Sequence, residues 1–214
     1  MPPGDATVGA MATTPDSAGR ACAIGLDLSL TGTGIGAIDL ATAALTTAVH
    51  RSVPPATSTI DAHVSRHRIL VDGIVNQVRA CNPALAVVEG LQFSVREKDS
   101  SLTRRGFLWW AVIEGLCTAG VPVMEVTPQQ IKQFATGKGN ASKSQVVAAY
   151  AVAWPDATRD KNIEDRADAA FAAALGAAWL GCKGLPLSST VTRRKVIAKL
   201  PAPTSPERVA VHAA

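Results

Sequence analysis

The alternation of apolar and polar positions divides the chain into short apolar runs and longer helical stripes. Runs of strand length occupy residues 21–28, 34–39, 45–53, 85–89 and 121–126. Apolar residues recur every three to four positions in 57–80, 102–119, 143–153 and 163–180, and Pro128 starts a shorter helix that ends near 135. The resulting order β-β-β-α-β-α-β-α-α-α predicts an α/β fold with a five-stranded mixed sheet flanked by helices.

The two ends of the chain lack this periodicity. Residues 1–20 are rich in Pro, Gly, Ala, Ser and Thr, and residues 183–214 combine four prolines with a basic cluster. We therefore predict a disordered leader over 1–20, one folded domain over 21–182 and a flexible basic tail over 183–214. The whole chain of 214 residues fits a single domain with tails.

Composition narrows the function classes only slightly. The net charge of +4 and the pI of about 9.0 permit a polyanionic partner without requiring one. The four cysteines are far apart and form no C-x-x-C pair, so we expect neither a zinc site nor disulfides. No apolar run is long enough for a membrane span and no secretory signal pattern begins the chain, so we expect a cytoplasmic protein without a membrane partner.

Four carboxylates stand where strands end or where a helix becomes apolar. Asp27 ends the first strand, and Glu89 ends the fourth. The helix between these strands makes them neighbours, so both side chains should lie at one edge of the sheet. Asp165 and Asp168 share a face of the last helix, and the apolar stretch after Asp168 should bring that face to the sheet.

Carboxylates held close together repel one another, and divalent cations resolve the conflict. Two such ions roughly 3.5–4 Å apart can activate a water and stabilise the leaving oxygen of a phosphodiester. Each carboxylate also has a purely structural interpretation. Asp27 could cap the following turn, Glu89 could end its strand by chance, and Asp165 could serve only the helix dipole. His63 and His67 have the spacing of a metal pair, but nothing else in the sequence supports one.

Basic residues cluster in two regions. Lys132, Lys138 and Lys143 surround the glycine-containing loop 136–142, where the helix starting after Ser142 could seat a phosphate. A solvated basic loop would have the same sequence. The second cluster follows Glu89 and could line a track for a nucleic-acid backbone; it comprises Arg96, Lys98, Arg104 and Arg105.

The order and spacing of these motifs resemble the RuvC-type Holliday-junction resolvases. The resemblance spans about residues 21–180 and rests on the segments GLDLSLTGTG, AVVEG, VTPQQIKQFATGKGNASKSQV and DRADAAFAAA. It implies a ribonuclease H-like fold, a homodimer, and an endonuclease that resolves four-way DNA junctions by paired symmetric nicks. It also implies two Mg²⁺ ions per active site, for which Mn²⁺ can substitute.

The same resemblance assigns roles to individual residues. The catalytic metal ligands would be Asp27, Glu89, Asp165 and Asp168. Lys132 and Lys143 would meet DNA near the scissile phosphate, where Lys143 offsets the charge that builds up on phosphorus. Two departures leave the choice of substrate open. Leu28 and Ser29 replace the family's Pro-Gly, and the aromatic residue that contacts an opened junction is displaced by one position, to Phe93.

Other functions remain open at this stage. Residues 25–33 also match the first phosphate loop of sugar kinases and actin-like ATPases, but the chain has no second such loop and is too short for their two domains. The same fold could serve a nuclease for flaps, forks or RNA, or a non-catalytic module that binds branched nucleic acids. The helix over 102–119, which carries Phe107, Trp109 and Trp110, is apolar nearly all round and is our candidate for the dimer contact.

Overall fold

The computed structural model describes residues 22–91 and 102–204, and the structural statements below concern those residues. They form five strands and six helices. In chain order these are β1 (Cys22–Asp27), β2 (Gly32–Asp39), β3 (Leu45–Arg51), α1 (Ile60–Ala80), β4 (Pro83–Glu89), α2 (Leu102–Thr118), β5 (Val123–Val126), α3 (Pro128–Thr136), α4 (Lys143–Ala153), α5 (Ile163–Trp179) and α6 (Val191–Ile197).

The strands form one mixed sheet in the order β3-β2-β1-β4-β5. The first three are antiparallel neighbours, whereas β1, β4 and β5 run parallel because α1 and α2 make the crossovers. The predicted five-stranded mixed sheet is therefore confirmed. Leu26 pairs with Val88, so the next residue of each strand, Asp27 and Glu89, lies at the same edge of the sheet.

Helices cover both faces of the sheet, which explains why its central strands read as continuous apolar runs. One core lies between the sheet and α1 and α2, and it includes Ile24, Leu26 and Val88. The other lies between the sheet and α3, α4, α5 and α6, and it includes Ala23 and Val87. Neighbouring residues of β1 and β4 thus belong to opposite cores, as the period of two in a strand requires.

Helix α5 approaches the sheet unusually closely because glycines of β1 and β2 lie beneath it. A Cβ atom added at Gly25 would lie 2.1 Å from the carbonyl oxygen of Ala169 and 2.2 Å from the nitrogen of Ala173. A Cβ atom at Gly34 would lie 2.2 Å from the carbonyl oxygen of Asp165. The alanine-rich face of α5 packs directly on Gly25, Gly34 and Gly36, which we call the glycine floor. Helix and strands are therefore in backbone contact.

Capping residues set several helix boundaries. Thr127 and Ser142 each form a reciprocal capping box with the glutamine three residues later, at the starts of α3 and α4. The sequence predicts Thr127 as the first cap and either Ser142 or Asn140 as the second, and the structure has Thr127 and Ser142. For α1 the sequence predicts a cap at Thr57 or Ser58, but the cap is Thr59, whose side chain accepts a hydrogen bond from the N–H of Ala62.

The prediction of a flexible tail from residue 183 is wrong for residues 183–204. Thr190 caps α6, and Val196 on that helix is only 3% exposed. Beyond α6, Thr204 donates its N–H to the carbonyl oxygen of Val123 on the edge strand β5, at 2.8 Å. The segment is held by this docking, which a sequence without long periodicity does not reveal. Residues 1–21 and 205–214 lie outside the described residues.

Within residues 22–91 and 102–204, no helix combines the length and the apolar character that crossing a membrane requires.

The close packing of α5 makes a stability prediction. We expect Gly25→Ala to destabilise the fold by at least roughly 1–3 kcal/mol, because the new methyl group would overlap backbone atoms that cannot turn away. Gly106→Ala is the matched control, since no heavy atom lies within 4 Å of its added Cβ atom and α2 should gain about 0.5–1 kcal/mol in helix propensity. Chemical denaturation measures both, and equal stabilities would contradict the proposed packing.

Candidate active site

Two of the four predicted carboxylates meet at the ends of adjacent strands. Asp27 and Glu89 line a pocket of about 170 Å³, together with Arg105 and Trp109 from α2. The indole N–H of Trp109 donates to the backbone carbonyl oxygen of Glu89 at 2.9 Å, and the Trp109 side chain is only 5% exposed. This hydrogen bond fixes the end of β4, so the backbone under the Glu89 carboxylate is held in place.

Helix α5 brings the other two carboxylates to the same edge. The backbone of Asp165 rests against Gly34, which is the strand partner of Asp27. Asp168 follows one turn later on the same face of α5. The four carboxylates therefore come from three elements, β1, β4 and α5, and converge because the glycine floor lets the helix approach.

The pKa values of these groups reflect first their burial and then their proximity. Burial, followed by the charges of Asp168 and Asp165, raises the pKa of Asp27 to about 7. Burial, followed by the charges of Asp27 and Asp168, raises the pKa of Glu89 to about 8. The pKa values of Asp165 and Asp168 are also raised, chiefly by burial. Four acids that each resist ionisation form a site that attracts positive charge.

Three predicted cations lie close enough to oppose this repulsion. The charges of Lys132 and Lys143 lower the pKa values of Glu89 and Asp168, and the charge of Arg105 lowers that of Asp27. The Lys143 ammonium forms an ion pair with Glu164 at 3.1 Å, in which both side chains are more than half exposed. The hydrogen bond to Glu164 raises the pKa of Lys143, which therefore stays charged at neutral pH.

Two other predicted DNA-binding residues, Lys138 and Arg104, are not brought to the carboxylates. Lys138 is exposed in the loop after α3, and its charge is not among those that shift the carboxylate pKa values. Arg104 lies on a different side of α2 from Arg105 and lines the groove between α1 and α2. Phe93, Arg96 and Lys98 fall outside the described residues.

The structure also adds residues that the sequence did not single out. Arg51 ends the edge strand β3 and pairs with Gly32, where an added Cβ atom would lie 3.2 Å from a carboxylate oxygen of Asp165. Its charge lowers the pKa of Asp165, and its guanidinium donates to Asn162 at the start of α5. The register of the β2–β3 hairpin was the signal that could have identified it. Glu164 and Trp109 were likewise not assigned to the site.

The donor set fits a hard divalent cation, because it consists of carboxylate oxygens whose pKa values are raised, first by burial and then by one another's charge. Within residues 22–91 and 102–204, no three His, Cys, Asp or Glu side chains are already arranged to hold an ion.

Known proteins share this architecture. The solved structure of Thermus thermophilus RuvC has a TM-score of 0.58 and 24% sequence identity, covering 75% of this chain and 97% of that chain. A second structure, of the same protein in complex with Holliday junction substrate, gives a TM-score of 0.58 and 22% identity over 76% of this chain and 98% of that chain. At these identities the similarity concerns the fold, and it confirms the predicted ribonuclease H-like architecture.

The sequence itself places the chain in a family. Crossover junction endodeoxyribonuclease RuvC from Albidiferax ferrireducens is 34% identical over 123 residues, which cover 58% of this chain and 66% of that protein, just under two thirds of its length. The family described as "Crossover junction endodeoxyribonuclease RuvC" matches residues 23–176, which include all four carboxylates, Lys132 and Lys143. The chain therefore belongs to the RuvC family.

Proposed function

We propose that the chain is a Mg²⁺-dependent endonuclease that resolves four-way DNA junctions by paired symmetric nicks. The observation that carries the proposal is the convergence of four mutually repelling carboxylates beside Lys132 and Lys143. Membership of the RuvC family supports it, since relatives carry the name crossover junction endodeoxyribonuclease. A solved member of similar fold holds a Holliday junction substrate.

The metal requirement is part of the proposal. Two Mg²⁺ ions per site, or Mn²⁺ in their place, would be held by Asp27, Glu89, Asp165 and Asp168. Bound there, such cations neutralise the carboxylates, activate the attacking water and stabilise the leaving oxygen of the phosphodiester.

The chain's own side chains would position the phosphate and balance its charge. Lys143 would leave Glu164 when a phosphate arrives, because an exposed ion pair contributes only about 0–1 kcal/mol. It would then offset the negative charge that builds up on the phosphate during in-line attack, with Lys132 beside it. Arg105, at the edge of the Asp27 pocket, would contact the adjoining backbone of the DNA strand.

We also propose a homodimer formed through the face of α1 and α2. Phe107 and Trp110 are 58% and 64% exposed, and Phe107 lines a groove of about 720 Å³ between the two helices. Trp109, the third aromatic residue expected at this contact, instead points inward to Glu89. Exposed aromatic residues beside an apolar groove favour an interface. A two-fold axis there would match the symmetry of a four-way junction.

A cytoplasmic location belongs to the same proposal. All four cysteines lie within the described residues and are free thiols. Free thiols are typical of a reducing compartment.

The first prediction from this proposal concerns cleavage. With Mg²⁺, the protein should nick a labelled four-way junction at two symmetric positions, leaving 5′-phosphate and 3′-hydroxyl ends. Asp168→Asn should lower the rate by more than about 100-fold, since loss of groups that merely support a metal ligand already costs roughly 10- to 100-fold. Asp156→Asn, at an exposed position after α4, is the control and should cut normally.

The substrate panel decides between the alternatives. Flap, fork, plain duplex and RNA substrates are assayed beside the junction at equal concentration. Cutting spread over flaps and forks would retain the site but replace the junction with branched DNA in general, and cutting of RNA alone would change the substrate class. Tight binding of junctions without cutting in either Mg²⁺ or Mn²⁺ would indicate a binding module and overturn the proposed chemistry.

The second prediction follows from the raised pKa of Asp27. Because this pKa is about 7 in the folded protein and 3.8 ordinarily, the metal-free fold binds the proton more tightly than the unfolded chain does. Stability should therefore fall as the pH rises from roughly 4 to 7. Asp27→Asn removes the charge, so it should melt several degrees above the parent at about pH 8 in EDTA, with the difference vanishing near pH 4.

Added Mg²⁺ should reverse that order, because ligand binding stabilises only a protein that binds it. The parent should gain in melting temperature while Asp27→Asn gains little. An Asp27→Asn protein that is less stable than the parent at about pH 8 without metal would contradict the electrostatic description of the site.

The third prediction concerns the dimer. Trp110→Glu should convert the dimer to a monomer in light scattering at micromolar concentration, because it places a charge in the proposed apolar contact. Val152→Glu, at an 83% exposed position on α4, is the control and should leave the mass unchanged. A parent protein that is monomeric at all concentrations would remove the dimer.

A further inference from the structure

The chain continues beyond the family match into a segment that docks on α3. The match ends at residue 176, whereas α6 extends from Val191 to Ile197. Between α5 and α6 the chain crosses the outer face of the domain, where Leu185 and Leu187 pack against the core. The extension therefore belongs to the folded unit, although the shared family features do not require it.

One side chain of α6 joins the extension to the end of α3. The guanidinium of Arg193 donates from Nε to the carbonyl oxygen of Phe134 at 2.8 Å and from Nη2 to that of Ala135 at 3.1 Å. Its Nη1 atom donates to the carbonyl oxygen of Ser188 at 2.8 Å. The guanidinium carbon also lies 5.7 Å from the centre of the Phe134 ring. The planar fork of arginine suits several acceptors at once.

These contacts complete the end of α3. The last carbonyl groups of a helix have no partners within it. Here the carbonyl of Lys132 accepts from the Thr136 hydroxyl, and that of Gln133 accepts from the N–H of Gly137, which has a φ of 85°. Arg193 donates hydrogen bonds to the next two carbonyl oxygens, those of Phe134 and Ala135. Its positive charge also lies at the negative end of the helix dipole.

The end of α3 lies close in sequence to both Lys132 and Lys143 and so determines where they lie. Lys132 lies on α3 two residues before Phe134, and the six residues 137–142 lead directly from the helix to Lys143. We propose that Arg193 is a positioning residue that holds Lys132 and Lys143 beside the carboxylates, so that both lysines are in place when a DNA phosphate arrives. This inference rests on the proposed nuclease function and deepens it.

Arg194 provides a matched control on the same helix. Its side chain carries the same charge and is exposed, and its guanidinium donates to the carbonyl oxygen of Ser189 within the extension. Arg194→Ala therefore removes one positive charge without touching α3. Any effect shared by Arg193→Ala and Arg194→Ala reports charge alone, and an effect specific to Arg193→Ala reports the contact with α3.

The first experiment measures single-turnover cleavage of a four-way junction at saturating protein and Mg²⁺. Arg193→Ala should lower the rate on the order of ten- to a hundred-fold, because small misplacements of site groups have effects of that size. Arg194→Ala should remain within about two-fold of the parent. Arg193→Lys should recover part of the loss, since an ammonium keeps the positive charge but lacks the planar fork whose separate nitrogens reach three carbonyl groups.

A double-mutant cycle separates positioning from a general loss of stability. If Arg193 acts through Lys132, Arg193→Ala should cost much less in a Lys132→Ala background than in the parent. All variants are assayed well below their melting temperatures. Equal factors in the two backgrounds, or equal rates for Arg193→Ala and Arg194→Ala, would overturn the inference.

Amide hydrogen exchange tests the same inference without cleavage. Peptides covering residues 133–142 should exchange about ten-fold faster in Arg193→Ala than in Arg194→Ala, with no difference in β1 or β4. Unchanged exchange in that segment would overturn the inference even if the parent cuts junctions. A parent that cuts no nucleic acid, combined with faster exchange in Arg193→Ala, would instead retain the Arg193 contact and remove only the proposed nuclease function.

Discussion

The packing of α5 onto the glycine floor of β1 and β2 is the constraint on which the rest of the structure depends. Gly25, Gly34 and Gly36 each lie where an added Cβ atom would be less than 3 Å from a backbone atom of α5. Any side chain there would push the helix away from the sheet. Because Asp165 and Asp168 are carried by that helix, the same contact determines how far they lie from Asp27 and Glu89.

This packing also explains how the fold tolerates four acids close together. After Asp168, residues 169–177 of α5 are all buried, mostly as alanines. Burial of that apolar surface offsets the repulsion and desolvation at the helix's first turns. Helix α5 thus has two distinct parts. Its first two turns carry the charged side chains, and the remaining turns are buried against the sheet. Functional sites commonly hold such locally unfavourable groups on a scaffold that is stable elsewhere.

The parts of the site that follow from connectivity could be predicted from the sequence. The order of the elements predicts β1 and β4 as parallel neighbours, and the observed pairing places Asp27 and Glu89 at one edge of the sheet. The spacing of Asp165 and Asp168 likewise put both on one face of a helix. Those inferences require only the order of the elements.

The parts that depend on rotation and docking could not be predicted. Arg104 and Arg105 are adjacent in sequence, but successive residues of a helix point about 100° apart, so only Arg105 reaches the carboxylates. Trp109 and Trp110 separate in the same way, one inward and one exposed. Helix α6 is seven residues long, too short to be stable alone, and its existence depends on contacts distant in sequence.

The ion pair between Lys143 and Glu164 keeps the lysine ammonium away from the four carboxylates of the site. The charge of Lys143 acts on Asp27, Asp165 and Asp168, yet its ammonium hydrogen-bonds to Glu164, the residue just before Asp165. A lysine bound directly to one of the four carboxylates would compete with a divalent cation for the same oxygens. Held by an exposed partner instead, Lys143 remains charged, and the proposal that it meets a phosphate while the four carboxylates hold metal needs both to be available.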